Sequence, residues 1–429
     1  TGPTSNRGKT FITLGIIRAL KKRGLNVCGY KTGPDYIDTK FLGEAAGVRA
    51  GNLDIHMMGK EGLIGSIAMG EGDYVVVEGA MGYFDGIHNT FLNSSYEISK
   101  VLNINTILVY TPEGEMFSAI PKIKGMVDFE GSMIRGIILN KVSSSMYMLL
   151  KEKIEEYIGI KILGYVENDQ SLKIDSRHLG LIQSDEIENV EEVIDNISVL
   201  VEKNVDLDGI MELMSEANVP KYVYPDKIDL KVGIAYDSAF SFYYSENLRL
   251  FENVCDVVYF SPISDEKIPE CDLLYLGGGY PELHLEELSR NTSMKGSIKE
   301  FANKGGCIYA EGGGLMYLME YIEGHEMCGV FKGRSNMTDR LQRFGYLNMK
   351  LNVDCLLGEM GDVLAGNEFH KSVTQIEGEE VYRILKPMSK RKWECGYVYK
   401  NVLAGYPHIN FLGNMKAFNY LLNRVKKEN

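Results

Sequence analysis

Nine residues, Gly2-Pro3-Thr4-Ser5-Asn6-Arg7-Gly8-Lys9-Thr10, have the types and spacing that hold phosphate. The pattern is one residue longer than the common G-x₄-G-K-[ST] loop. Gly2 and Gly8 let the backbone curl, so that N–H groups along Thr4, Ser5 and Asn6 face phosphate oxygens. Lys9 reaches the terminal phosphates, and the Thr10 hydroxyl can ligate Mg²⁺. A helix N-terminus directly after the loop adds partial positive charge to the same place. Phe11, Ile12, Leu14, Ile16, Ile17 and Leu20 supply its helical spacing, Lys21, Lys22 and Arg23 suit its last turn, and Gly24 its stop. A strand should precede such a loop. The chain begins at Thr1 without Met, so one short strand is expected to have been trimmed.

Further acids stand where strands should end. Residues 25–31 read as a strand that runs into Thr32-Gly33-Pro34-Asp35-Tyr36-Ile37-Asp38. Open α/β sheets bind ligands beyond the C-terminal ends of their strands. Residues 73–82 read as a buried strand ending in Glu78, placed to meet a nucleotide-bound Mg²⁺. Asp85 follows in Tyr83-Phe84-Asp85-Gly86. Residues 105–110 and 134–142 read as further strands, with Asn140 placed to read an adenine edge. Strands alternating with helical segments give a doubly wound parallel sheet.

A second group of residues lies in the other half. A strand over 272–276 runs into Gly277-Gly278-Gly279, a bare turn whose N–H groups at Gly278 and Gly279 suit an oxyanion hole. Residues 306–315 read as strand, tight turn and helix start, the geometry of a nucleophile elbow. Its apex is Gly312.

Taken in order, 2–10, 31–38, Asn52-Leu53-Asp54 with Met57-Met58, 78–86, 140–142 and Arg177-His178-Leu179-Gly180-Leu181 resemble the cobyrinic acid a,c-diamide synthases of cobalamin biosynthesis. The resemblance runs nearly the whole chain. It implies a first domain similar to dethiobiotin synthetase. Such a domain binds ATP and Mg²⁺ and activates a corrinoid carboxylate as an acyl phosphate, which ammonia attacks. It assigns Lys9, Thr10, Asp35 and Glu78 to nucleotide and metal. Tyr36, Asp38 and Asp85 would line the tetrapyrrole and steer which carboxylate reacts. The second domain resembles class I glutamine amidotransferases, where this family reads Ala-Glu-Cys-Gly-Gly. Tyr406-Pro407-His408 matches the segment of the catalytic base, and Asn367-Glu368-Phe369-His370 another family segment. Glycine cannot attack glutamine as a thiolate does. Cys307, upstream in a buried strand, is a poor substitute. The expectation is an ATP-dependent amide ligase whose nitrogen source, ammonia or glutamine, stays open. Alternatives are a nickel-sirohydrochlorin a,c-diamide synthase and a non-catalytic nucleotide- or tetrapyrrole-binding homologue.

A chain of 429 residues has room for such domains, expected at 1–200 and 229–429 with a linker over 201–228. A net charge of −13 argues against nucleic acid as a partner. Seven cysteines without C-x-x-C spacing fit reduced thiols and a cytoplasmic setting. The sequence offers no membrane-spanning stretch. A homodimer stays open.

Overall fold

The computed structural model describes residues 1–168 and 189–428, so the 177–181 match lies outside the described residues. Two compact units divide the chain: Thr1–Ile55 with Lys60–Tyr222, and His56–Gly59 with Val223–Asn429.

The first unit alternates strands and helices as its periodicity demands. Its strands are β1 (Val27–Thr32), β2 (Gly51–Leu53), β3 (Tyr74–Glu78), β4 (Thr106–Tyr110), β5 (Ile134–Asn140) and β6 (Lys161–Val166). They pair in parallel, in the orders β2-β1-β3 and β4-β5-β6. Thr1 bonds to β4 through its amino group, which donates to Ile107 O at 2.9 Å, and through its carbonyl, which accepts from Val109 N at 2.8 Å. Helices α1 (Lys9–Lys22), α2 (Ile37–Ala46), α3 (Ile55–Ala68, broken at Gly59, its residues 56–59 belonging to the second unit), α4 (Ser95–Leu102), α5 (Ala119–Asp128), α6 (Ser144–Ile158), α7 (Val190–Asn204) and α8 (Leu207–Leu213) complete it.

The apolar face of α1 explains the packing. Leu14, Ile17 and Leu20 are fully buried in one core with Ile194, Ile197 and Val201 of α7. Gly15 allows the approach, since a Cβ there would stand 2.4 Å from Val201 Cγ2. Val205, Leu207 and Ile210 belong to the same core. The interval expected as a linker, 201–228, therefore begins with the end of α7 and all of α8 packed into the first unit. Among the described residues, no helix is long and apolar enough to cross a membrane.

The second unit is built on strands β7 (Lys231–Ala235), β8 (Asp256–Phe260), β9 (Leu273–Leu276) and β10 (Cys307–Glu311), with helices α9 (Ser245–Val254), α10 (Leu285–Arg290), α11 (Thr292–Asn303), α12 (Gly313–Leu318) and α13 (Met415–Glu428). Further along run β11 (Met319–Ile322), β12 (His325–Glu326), β13 (Phe331–Met337), β14 (Arg343–Leu351), β15 (Val363–His370), β16 (Ser372–Ile376), β17 (Tyr382–Leu385), β18 (Lys392–Cys395), β19 (Tyr397–Tyr399), β20 (Val402–Gly405) and β21 (His408–Ile409). The central sheet has the order β19-β20-β10-β9-β7-β8 and is parallel except for β19. Two further sheets, β12-β11-β13-β16 and β18-β17-β14-β15-β21, fill the stretch between α12 and the C-terminal segment. The second delivers His408 beside Asn367.

Candidate active sites

In the first unit the loop before α1 turns through left-handed backbone at Asn6 (φ 60°) and Gly8 (φ 79°). Lys9 Nζ donates to Thr4 O at 2.8 Å and to Met81 O at 2.6 Å, which folds its side chain across the loop. Burial, and next the charge of Lys31, pushes the Lys9 ammonium down to about 8. Asn140, at the end of β5, donates to Arg7 O at 2.8 Å. The residue expected at an adenine edge thus holds the loop through its amide. Tyr83 N donates to Gly2 O at 2.9 Å, tying the segment after β3 to the loop's first glycine.

Behind the loop lies a buried charge cluster. Thr10 Oγ1 donates to Glu78 Oε1 at 2.6 Å. Lys31 Nζ donates to the same oxygen at 2.8 Å and also to Asp38 Oδ2. Lys31, Asp38 and Glu78 are all buried. Burial alone would lower the Lys31 ammonium, but the carboxylates of Glu78 and Asp38 outweigh it and hold it above the usual lysine range. Burial likewise pushes Glu78 up, against the pull of Lys31. Asp38 Oδ1 and Glu78 Oε2 are buried without a hydrogen-bond partner. Buried acceptors left open in this way are costly unless a ligand meets them.

Asp35 Oδ1 accepts from Ile37 N at 2.9 Å and Asp38 N at 3.0 Å, fixing the start of α2 where Tyr36 and Asp38 stand. Asp85 Oδ2 accepts from Gly82 N at 3.1 Å. Gly82 presses on the loop, where a Cβ would stand 2.5 Å from Pro3 O. The structure therefore brings Lys9, Thr10, Asp35, Asp38, Glu78 and Asp85 to one end of the sheet. The donors left open are all oxygens, the set Mg²⁺ takes, and Mg²⁺ commonly uses one or two carboxylates with phosphates and water. Among the described residues, no three or more His, Cys, Asp or Glu side chains are grouped to hold a metal by themselves.

In the second unit β10 ends at Glu311 and α12 begins at Gly313, so Gly312 alone makes the turn, with φ 51° and ψ −107°. A Cβ at Gly312 would stand 2.8 Å from His408 Nε2 and 3.7 Å from Gly278 Cα. The Gly277–Gly279 turn and the His408 imidazole thus both face the apex. A Cβ at Gly313 would stand 3.2 Å from Gly279 N, so the backbone of that turn borders the elbow as an oxyanion site requires.

His408 is held from behind. Its Nδ1 lies 3.2 Å from Glu311 Oε2, and since a carboxylate only accepts, Nδ1 donates and Nε2 faces the apex. Glu311 also accepts from Tyr309 OH at 2.6 Å, Tyr275 OH at 3.0 Å and Ile409 N at 3.1 Å. Burial, and next the charge of Glu311, raises both phenols well above their usual range, so they remain donors. An imidazole with a carboxylate behind it is in place, the pair that a base and its orienting acid would form. The nucleophile is not. Cys307 lies buried on β10 with its thiol pushed up to about 11 by burial. Burial also pushes Cys255, Cys271 and Cys395 up to about 12 and Cys355 to about 11.

Comparison with known proteins agrees with both halves. Residues 1–182 match the CobQ/CobB/MinD/ParA nucleotide binding domain, and residues 231–416 the CobB/CobQ-like glutamine amidotransferase domain. The cobyrinate a,c-diamide synthase of Clostridium tetani is 43% identical, covering 98% of each chain. That of Clostridium acetobutylicum is also 43% identical, again covering 98% of each. The Fusobacterium nucleatum protein of the same name is 40% identical over 97% of each. The chain belongs to the cobyrinate a,c-diamide synthase family. It is an α/β protein with a phosphate-loop domain followed by an amidotransferase-type domain.

Within this family frame, two site residues were not identified from the sequence. Lys31 is visible as a lysine at a strand end, but only its burial between Asp38 and Glu78 shows what it does. Glu311 immediately precedes the elbow on an otherwise apolar strand, a signal that could have marked it as the acid behind His408.

Proposed function

We propose that the chain joins ammonia to the a and c side-chain carboxylates of cobyrinate, driven by ATP. The carrying observation is the buried Thr10–Glu78–Lys31–Asp38 cluster with two open carboxylate oxygens next to a phosphate loop. Relatives 43% identical over 98% of the chain bear the cobyrinate name, which favours cobyrinate over nickel-sirohydrochlorin.

A carboxylate becomes an acyl donor when its oxygen attacks the terminal phosphoryl of ATP and ADP leaves. Ammonia then attacks the carbonyl carbon, and phosphate departs with the carboxyl oxygen. Lys9 and the loop N–H groups offset charge on the transferred phosphoryl. Thr10 and Glu78 would hold Mg²⁺, with Asp35 close by. Bound there, Mg²⁺ neutralises the phosphate oxygens. Asp38, Asp85 and Tyr36, beyond the strand ends, position the acceptor carboxylate. Nothing in this sequence of steps needs Gly312.

The test is ATP turnover with and without cobyrinate. Turnover should depend on cobyrinate, and Lys9→Ala should abolish it by removing the charge that meets the phosphoryl group. Full cobyrinate-dependent turnover in Lys9→Ala would overturn the assignment.

A further inference from the structure

The phosphate loop keeps its shape with little help from packing. Thr4, Ser5 and Asn6 are all exposed, and the backbone turns left-handed at Asn6 and Gly8. The loop is also one residue longer than the common pattern, which adds conformations that have to be removed. The hydrogen bonds that remove them converge on Thr4. Its carbonyl accepts from Lys9 Nζ at 2.8 Å, and its hydroxyl accepts from Arg7 Nε at 2.8 Å. That hydroxyl donates in turn to Ser5 O at 3.2 Å. Arg7 thus braces the loop across its width, from residue 7 back to residue 4.

Arg7 is itself gripped from outside the loop. Its carbonyl accepts from Asn140 Nδ2 at 2.8 Å, at the end of β5. Its guanidinium pairs through Nη1 with Glu113 Oε1. Glu113 stands between β4 and α5, in a segment that is pinned in its own right. There Tyr110 OH donates to Glu115 Oε1, Lys122 Nζ donates to Glu115 Oε2, and Gly114 turns at φ 65°. The Arg7–Glu113 pair is open to water, with the side chains 23% and 67% exposed. Exposed ion pairs add little to stability. What this one supplies is direction. A single planar guanidinium holds Thr4 through Nε and Glu113 through Nη1, and so ties the loop to the segment after β4. A lysine ammonium carries the charge without that fixed fork.

We infer that Arg7 is a positioning residue for the nucleotide: by bridging Thr4 and Glu113 it preorganises the loop N–H groups that meet the phosphates. This rests on the amidation reading above only for the reaction that consumes the nucleotide, and on the loop geometry for the brace itself.

The test uses the full chain and the variants Arg7→Ala, Arg7→Lys and Glu113→Gln. Binding is read with mant-ATP and Mg²⁺ in the absence of cobyrinate. The KM for ATP and kcat are read from cobyrinate-dependent turnover. Arg7→Ala should raise the mant-ATP Kd and the KM for ATP about tenfold, with kcat within about threefold of wild type. The loop N–H groups meet the phosphates before and during transfer, so loosening them costs binding more than rate. Arg7→Lys should keep only part of the affinity. Glu113→Gln should weaken mant-ATP binding in the wild type but not in the Arg7→Ala background, because Glu113 acts through Arg7. Salt should narrow the gap between Glu113→Gln and wild type, since the pair is exposed. Thermal melts should barely move in any variant. An unchanged Kd in Arg7→Ala would overturn the inference. So would an Arg7→Lys variant equal to wild type, which would mean that charge alone counts, or tighter binding in Glu113→Gln, which would mean that Glu113 withholds Arg7 from the phosphates. The expected Kd changes in a protein without cobyrinate-dependent turnover would uphold the brace and remove the amidation reading.

Discussion

In the first unit Lys31 sits between two buried carboxylates, and Thr10 shares an oxygen with it. In the second, Glu311 sits among four donors and fixes His408 just as firmly. Both clusters are tightly bonded, but at the apex of the second Gly312 has no side chain to react. Its apex has φ 51° and ψ −107°, which glycine adopts without strain and other residues do not. The turn at 312 therefore forms without a side chain. Lys31, by contrast, has a side chain the cluster depends on, since its charge offsets two buried acids.

The sharpest way to break this contrast is at Lys31. Lys31→Met keeps most of the aliphatic stem and leaves Asp38 and Glu78 facing each other. Removing one partner of a buried ion pair typically costs about 3–5 kcal/mol. Denaturant unfolding should show a loss of that order. Cobyrinate-dependent ATP turnover should fall about a thousandfold, equivalent to about 4 kcal/mol. A variant as stable as wild type and fully active would mean that the cluster neither supports the fold nor serves the chemistry.

The next effect concerns the nitrogen source. The protein as it stands should release no glutamate from glutamine, and amidation should depend on added ammonium salt. At fixed total ammonium the rate should climb with pH, because neutral NH₃ is the nucleophile and its fraction grows as protons are removed. A thiol alkylator at neutral pH should leave this rate intact. The thiols of Cys255, Cys271, Cys307, Cys355 and Cys395 are held near 11 to 12, so their reactive anions are scarce there. Steady glutamate release that an alkylator stops would show that one of the cysteines has replaced the missing thiol.

The same contrast explains what could be read from the sequence. The phosphate loop, β1, β3 and β5, and the strand–turn–helix around Gly312 follow from apolar runs bounded by glycines. The end of the first unit was harder. Val205, Leu207 and Ile210 are core residues, yet acidic neighbours made 201–228 look like a linker. The sheets between α12 and β21 were not read as strands at all. In β13 only Phe331 and Ser335 are buried, and β15 buries Asn367 and Glu368, so the alternation that marks a strand is diluted by polar residues. Pairings such as Glu311 with His408 join residues far apart in sequence, and only the fold reveals them.

The smallest effect, and the most informative about the elbow, is that of Gly312→Cys. A side chain at φ 51° and ψ −107° costs on the order of 1–3 kcal/mol. Its Cβ would also stand 2.8 Å from His408 Nε2 and 3.0 Å from Cε1, closer than such atoms normally approach, so the imidazole must shift slightly. Glu311 anchors the far nitrogen, Nδ1, so the shift falls on the Nε2 edge of the ring. The expected result is a melting temperature several degrees lower, together with new glutamate release. Gly312→Ala should show the same drop in stability and no release, which separates the strain from the chemistry. Adding His408→Ala to the cysteine variant should remove most of the gained activity. If Gly312→Cys folds with the expected drop yet releases no glutamate, the second unit has lost more than its apex, and the frame around Glu311 is not sufficient for glutamine hydrolysis.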